Sequence, residues 1–161
     1  MQLTLHADYA LRVLLYLADH PDRTVSTQEI SEAYGISRNH LVRVVQTLNA
    51  HGFIHVTAGR HGGATLARPP AQINLGQVVR KAEPGFRIVE CFDAKTNTCP
   101  IAPVCKLKGV LKQALESFFA VLDGYTLADL ARGTKGSGLV RITVPRLVSA
   151  AKSSRPRRTM R

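Results

Sequence analysis

Ser26-Thr27-Gln28-Glu29-Ile30-Ser31-Glu32-Ala33-Tyr34-Gly35-Ile36-Ser37-Arg38-Asn39-His40-Leu41-Val42-Arg43-Val44-Val45-Gln46-Thr47-Leu48-Asn49 is the stretch whose reading decides the fold. Ser26 followed three residues later by Glu29 has the form of a capping box, which opens a short helix from Thr27 to Tyr34. Gly35-Ile36 supplies a tight turn, and Ser37 is placed to cap a second helix running to about Asn49. Two short helices joined by a glycine-containing turn make a helix-turn-helix. In the second helix Leu41, Val44, Val45 and Leu48 recur at helical spacing and are expected to pack inward. Arg38, Asn39, Arg43 and Gln46 are left outward, a set able to hold phosphates or read base edges. Taken alone, such a face is commonly plain solvated surface, so its flanks decide.

Downstream, Phe53-Ile54-His55-Val56 and Ala64-Thr65-Leu66 read as two short strands, joined by Thr57-Ala58-Gly59-Arg60-His61-Gly62-Gly63. A glycine-rich hairpin tip carrying an arginine, directly after a recognition helix, is the wing of a winged helix. Arginine at such a tip suits the narrow minor groove. The expected fold is mainly α with a small β wing: a winged helix-turn-helix head over residues 1–82. The expected DNA contacts are Ser37, Arg38, Asn39, His40, Arg43 and Gln46, with Arg60 and His61 from the wing.

Upstream, the dense apolar run from Asp8 to Leu17 predicts a largely buried first helix ending near His20-Pro21, with Asp8 as its N-cap. Downstream, Asn74 is placed to cap a short helix to Lys81. Residues 83–104 hold three prolines and two cysteines with little periodicity, a loop long enough to be functional or disordered. A long helix from about Cys105 to Leu122 carries a wide apolar stripe through Leu107, Val110, Leu111, Ala114, Leu115, Phe118, Phe119 and Leu122. That stripe suits pairing with a second copy of the chain, packing on its own head being the alternative. Thr126 caps a last helix, Leu127 to Ala131, and the compact fold is expected to end at Arg132.

The 161 residues carry a net charge of +11, unevenly placed. Residues 133–161 hold eight of the 22 Lys/Arg and none of the 11 Asp/Glu, so residues 1–132 are only +3. A basic excess favours polyanions such as DNA, but here the tail dominates it. The glycine/serine-rich and basic composition of that tail predicts an extension without fixed structure. No apolar run approaches the ~20 residues of a membrane span, and the N-terminus lacks the pattern of an export signal. The cytoplasm is therefore the expected compartment.

Cys91, Cys99 and Cys105 form a C-x7-C-x5-C run, an odd number of thiols in a setting that argues against a disulfide framework. Thiolates suit iron–sulfur clusters, zinc or copper, and the absence of C-x2-C knuckles counts against structural zinc. Three cysteines leave a fourth coordination position open or filled by an oxygen or nitrogen ligand. Three unligated thiols remain the bland alternative. None of the six histidines forms a metal or nucleophile motif with the cysteines, and neither a phosphate-binding loop nor a dinucleotide fingerprint occurs. An enzyme is not expected.

Several of these motifs, in order, resemble the Rrf-type winged-helix regulators. They are Met1-Gln2-Leu3-Thr4 through Asp8-Tyr9-Ala10-Leu11-Arg12, Tyr34-Gly35-Ile36-Ser37-Arg38-Asn39-His40-Leu41, Gly59-Arg60-His61-Gly62-Gly63, and Leu122-Asp123-Gly124-Tyr125-Thr126-Leu127-Ala128-Asp129-Leu130. Within that group, Ser37-Arg38-Asn39-His40 and Cys99-Pro100-Ile101-Ala102-Pro103-Val104-Cys105-Lys106-Leu107-Lys108 are most similar to the repressors that respond to nitric oxide. The resemblance spans about residues 1–131. It implies a homodimer whose long helices cross, each head reading half of an imperfect palindrome in double-stranded DNA. It also implies an iron–sulfur cluster on Cys91, Cys99 and Cys105, four-iron favoured with two-iron as the alternative, with Asp8 of the partner subunit as a candidate fourth ligand and repression relieved by nitric oxide. Two other readings stay open. The same fold can answer to iron or cluster status, and the cysteines can serve a zinc-bound adaptor or a thiol oxidoreductase.

Overall fold

The computed structural model describes residues 2–59 and 62–134. Helix α1 (Leu5–Asp19) is the axle of the head and buries Ala7, Ala10, Val13, Leu14 and Leu17 along one face. Its N-cap is Thr4, whose hydroxyl accepts from the Ala7 N–H at 3.2 Å. Asp8 is therefore not the cap expected of it. It stands inside the first turn and pairs with Arg12, one turn on, at 2.8 Å. The helix starts earlier than the apolar run because an extended Thr4 satisfies its first free N–H groups.

Helix α2 (Thr27–Tyr34) begins at Ser26, whose hydroxyl accepts from the Glu29 N–H at 3.1 Å. Only this half of the capping box is realised. The Glu29 carboxylate turns instead to Arg23 and to the Tyr16 hydroxyl, which donates at 2.9 Å. Gly35 ends α2 with φ +64°, a left-handed conformation that glycine adopts without strain. The buried Ile36 and the Ser31 hydroxyl, donating to the Ile36 carbonyl at 2.6 Å, fix the turn. Helix α3 (Arg38–Ala50) then lays Leu41, Val44, Val45 and Leu48 against α1 and Ile30.

Strands β1 (Ile54–Thr57) and β2 (Gly63–Leu66) form an antiparallel hairpin in the register Ile54↔Leu66 to Thr57↔Gly63. The hairpin is held to the head through Val25. Its N–H and carbonyl exchange bonds with Ala64 at 3.0 and 2.8 Å, immediately before the cap of α2. The wing and the helix-turn-helix therefore share one backbone anchor. The tip residues Arg60 and His61, and the tail from residue 135, lie outside the described residues.

A single 3-10 turn, Pro70–Gln72, leads into helix α4 (Leu75–Ala82), capped by Asn74 as expected, with the Gln77 N–H donating at 3.0 Å. After a loop containing a 3-10 turn at Glu90–Phe92 comes helix α5 (Lys106–Asp123), with Cys105 at its N-cap. Helix α6 (Leu127–Thr134) runs three residues beyond the expected Ala131. Its fully buried Leu127 donates its N–H to the Ile73 carbonyl at 2.8 Å, so the chain returns to the head after α5. Asp129 helps the helix start, its carboxylate accepting from the Thr126 N–H and hydroxyl at 2.8 and 2.7 Å.

Helix α5 stands apart from this core. Phe119 is its buried residue, whereas Leu107, Val110 and Val121 are about 60% exposed and Val104, just before the helix, is 82% exposed. It is tied to the head at its C-terminal end. Asp123 takes two bonds of 2.6 Å from Arg80 on α4, and Arg80 lies over the Phe119 ring at 4.2 Å. Gly76 permits that approach: a Cβ there would sit 2.0 Å from the Asp123 carboxylate.

Candidate DNA interface and cysteine site

Once the core face of α3 is buried, the rest of the helix is exposed. Ser37, Arg38, Asn39, His40, Arg43 and Gln46 all reach solvent on one side of the head. Ser37 holds the N-cap position without a side-chain capping bond, so its hydroxyl is not committed to the helix. The first turn of this 13-residue helix also presents free N–H groups at the positive end of the helix dipole. Neither Arg38 nor Arg43 pairs with a carboxylate among the described residues. Two arginines, an amide pair and an open helix start make a surface suited to phosphates and base edges.

Helix α1 supports this face through residues that sequence reasoning did not single out. His6 Nε2 lies 3.1 Å from the Thr47 hydroxyl. That hydroxyl already donates to the Arg43 carbonyl at 3.1 Å, so His6 Nε2 is the donor between them. The Tyr9 ring leans on His40 with centroids 6.3 Å apart. No periodicity marks such contacts. They follow from α1 crossing α3, which only the packed structure reveals.

Behind the helix-turn-helix, Glu29 binds Arg23 through both carboxylate oxygens. Arg23, with help from Tyr16 and against the cost of partial burial, holds Glu29 down at about 2. Partial burial, and then the same carboxylate, raise the Tyr16 phenol. This cluster fastens the C-terminal part of α1 to the start of α2.

Cys91, Cys99 and Cys105 are all free thiols, each partly exposed, on the segment between α4 and α5. Glu90, next to Cys91, accepts from the N–H and hydroxyl of Thr98, next to Cys99, at 2.6 and 2.7 Å. The Thr98 hydroxyl, then its N–H, hold Glu90 below the usual carboxylate range. Asn97 accepts from the Cys99 N–H at 3.1 Å, and Arg87 pairs with Asp93 at 3.1 Å. The donor set is chemically right for a soft metal centre: three reachable sulfurs and no disulfide. In this single chain, no three His, Cys, Asp or Glu residues among the described ones are gathered at metal-binding separation. Asp8 faces Arg12 rather than the thiols.

A helix-turn-helix backed by a two-stranded wing, with an uncompensated cationic helix face, defines a DNA-binding transcription regulator. Residues 3–133 match the Rrf2 family of iron-dependent transcriptional regulators, and the chain belongs to that family. It is 50% identical over 133 residues to the HTH-type transcriptional regulator NsrR of Bacillus subtilis, a match covering 82% of this chain and 91% of that protein. It is 49% identical over 131 residues to NsrR of Halalkalibacterium halodurans, covering 81% and 90%. In fold it resembles T. potens IscR, with a TM-score of 0.70 at 24% identity, covering 88% of this chain and 93% of that one. The global cysteine regulator CymR of B. subtilis has the same fold, with a TM-score of 0.62 at 24% identity, covering 83% and 98%. These relatives are regulators, not enzymes, and no helix among the described residues is long and apolar enough to cross a membrane.

Proposed function

We propose that this chain is a cytoplasmic, homodimeric repressor that releases its operator when nitric oxide reaches an iron–sulfur cluster on Cys91, Cys99 and Cys105. The observation that carries this reading is the placement of three free thiols beside an uncovered apolar helix, in a chain 50% identical to NsrR of Bacillus subtilis over 133 residues, 82% of its length. Residues 1–82 form the DNA-reading head, residues 83–104 the cysteine loop, residues 105–132 the dimer helix and its return, and residues 133–161 a basic tail. Ser37, Arg38, Asn39, His40, Arg43 and Gln46 meet the DNA, with Arg60 and His61 from the wing.

The exposed Leu107, Val110 and Val121 are too costly to leave in water along one helix, and a second copy of α5 would cover them. Asp8 of the partner subunit serves as the fourth ligand, which requires it to leave Arg12. A four-iron cluster supplies an electron-rich, nitric-oxide-reactive centre when bound. The chain's own part is to gather the loop around it and hold the two heads at a fixed spacing. Two half-sites lie about 34 Å apart, one helical turn, so a small change in that spacing weakens both contacts together.

Full-length protein purified without oxygen should be brown, contain iron and sulfide in equal amounts, and bleach as nitric oxide displaces it from operator duplex. Colourless, iron-free protein whose DNA affinity ignores nitric oxide would remove the sensor. The family's iron dependence favours a second reading, response to iron supply. Release under chelation, with indifference to nitric oxide, would select it.

A further inference from the structure

Val42 is an apolar residue at the centre of the DNA-facing side of α3, and its outer surface is left to solvent among the described residues. It is 39% exposed, while Leu41, Val44, Val45 and Leu48 are buried and complete the core without it. At ~100° per residue, Val42 stands within about 60° of Arg38, Asn39 and Gln46 and about 100° from Arg43, all of them exposed and polar. A branched valine at an exposed helix position costs helix propensity relative to a lysine, glutamine or alanine there. The core is complete without its exposed surface, and the local preference of the helix opposes a valine there.

The partner of the surrounding face is DNA, so the feature that would cover Val42 must be apolar and lie in the major groove. The groove offers one such group, the C5 methyl of thymine. We infer that Val42 is a specificity-determining residue that reads a thymine methyl in each half-site, between phosphate and base-edge contacts made by its polar neighbours. This rests on the DNA-binding face of α3 assigned above and adds what that face selects. Arg38 and Arg43 supply attraction that any sequence satisfies, whereas a valine methyl discriminates thymine from cytosine and from uracil.

The test uses the full-length wild-type chain and a duplex that it selects from a randomised pool. Thymines in that duplex are replaced one at a time by deoxyuracil, which removes the methyl and nothing else. Wild type should lose roughly fourfold in affinity at one thymine per half-site, the effect of leaving one methyl uncovered. Val42→Ala, a change that favours the helix and spares the core, should bind the thymine duplex about as weakly as wild type binds the uracil duplex. It should then be indifferent to uracil at that position. Val42→Thr, keeping the shape and one methyl, should fall between. Wild-type indifference to uracil at every thymine, or Val42→Ala losing the same factor at the same thymine, overturns the assignment while leaving the DNA face intact. Failure to select any duplex overturns both.

Discussion

Phe119 is the buried residue of α5, beside the Arg80–Asp123 pair that ties the helix to α4, and replacing it tests that attachment. Its ring is 8% exposed, meets the Phe86 edge at 4.5 Å and 89°, and lies beneath Arg80. Phe119→Ala removes the buried ring and leaves a gap between α4, α5 and the start of the cysteine loop. For a buried phenylalanine at the rim of a core the loss is about 3 kcal/mol. Phe119→Leu keeps most of the apolar volume and loses the edge-to-face contact, a loss of about 1 kcal/mol.

Urea unfolding at fixed protein concentration measures both, and the alanine variant should also melt about 10 °C lower. Hydrogen exchange adds the location. Amides of α5 should lose protection in Phe119→Ala, while those of α1 and α3, whose core is untouched, should keep theirs at low denaturant. An alanine variant within about 1 kcal/mol of wild type would refute the anchor. So would protection lost equally through α1, since α5 would then be part of the head core and not a helix hung on it.

Two further outcomes follow from the charged contacts. Arg23 holds Glu29 at about 2, below the ordinary 4.5, so Glu29's contribution to stability is complete above pH ~4.5 and is lost as the pH falls towards ~2. With the carboxylate one-third exposed, that contribution is about 1 kcal/mol, and Glu29→Gln should flatten this segment of the stability curve measured by urea midpoints. Glu90, the residue before Cys91, is tied to Thr98, the residue before Cys99. In metal-free Cys105→Ser protein, Glu90→Ala should therefore lower the equilibrium yield of the Cys91–Cys99 disulfide in a glutathione buffer by several-fold. Glu90→Gln, which still accepts from Thr98, should restore most of it, and an unchanged yield in Glu90→Ala would dismiss the clasp.

Much of the fold was legible because local chemistry and tertiary packing agree. Ser26, Gly35 and Asn74 each do in the structure what their residue type prefers, and the apolar spacing of α3 matches its buried face. The first helix misled at its start because two capping residues compete within five positions. Thr4 wins, and Asp8 gains more from Arg12 on the next turn. The capping box was half right for the same reason, Arg23 outbidding the Ser26 N–H for Glu29. Side chains that act across elements carried no sequence signal. Thr47 faces His6 from 41 residues away, and Leu127 enters the head core only because α5 leads the chain out and back.

The cysteines show the limit of spacing most clearly. A C-x7-C-x5-C run states which donors are available, but how close they lie depends on the loop and on what faces it. In one chain, among the described residues, the three thiols are not gathered at metal-binding separation. The residue expected to complete them, Asp8, sits two positions from His6 and one from Tyr9, which touch Thr47 and His40 of the DNA-reading helix. Under the proposed reading, drawing Asp8 away from Arg12 would act on the same turn of α1 whose His6 and Tyr9 lie against α3. Coupling between cluster and DNA would then need no long pathway, because one helical turn would carry both ends of it.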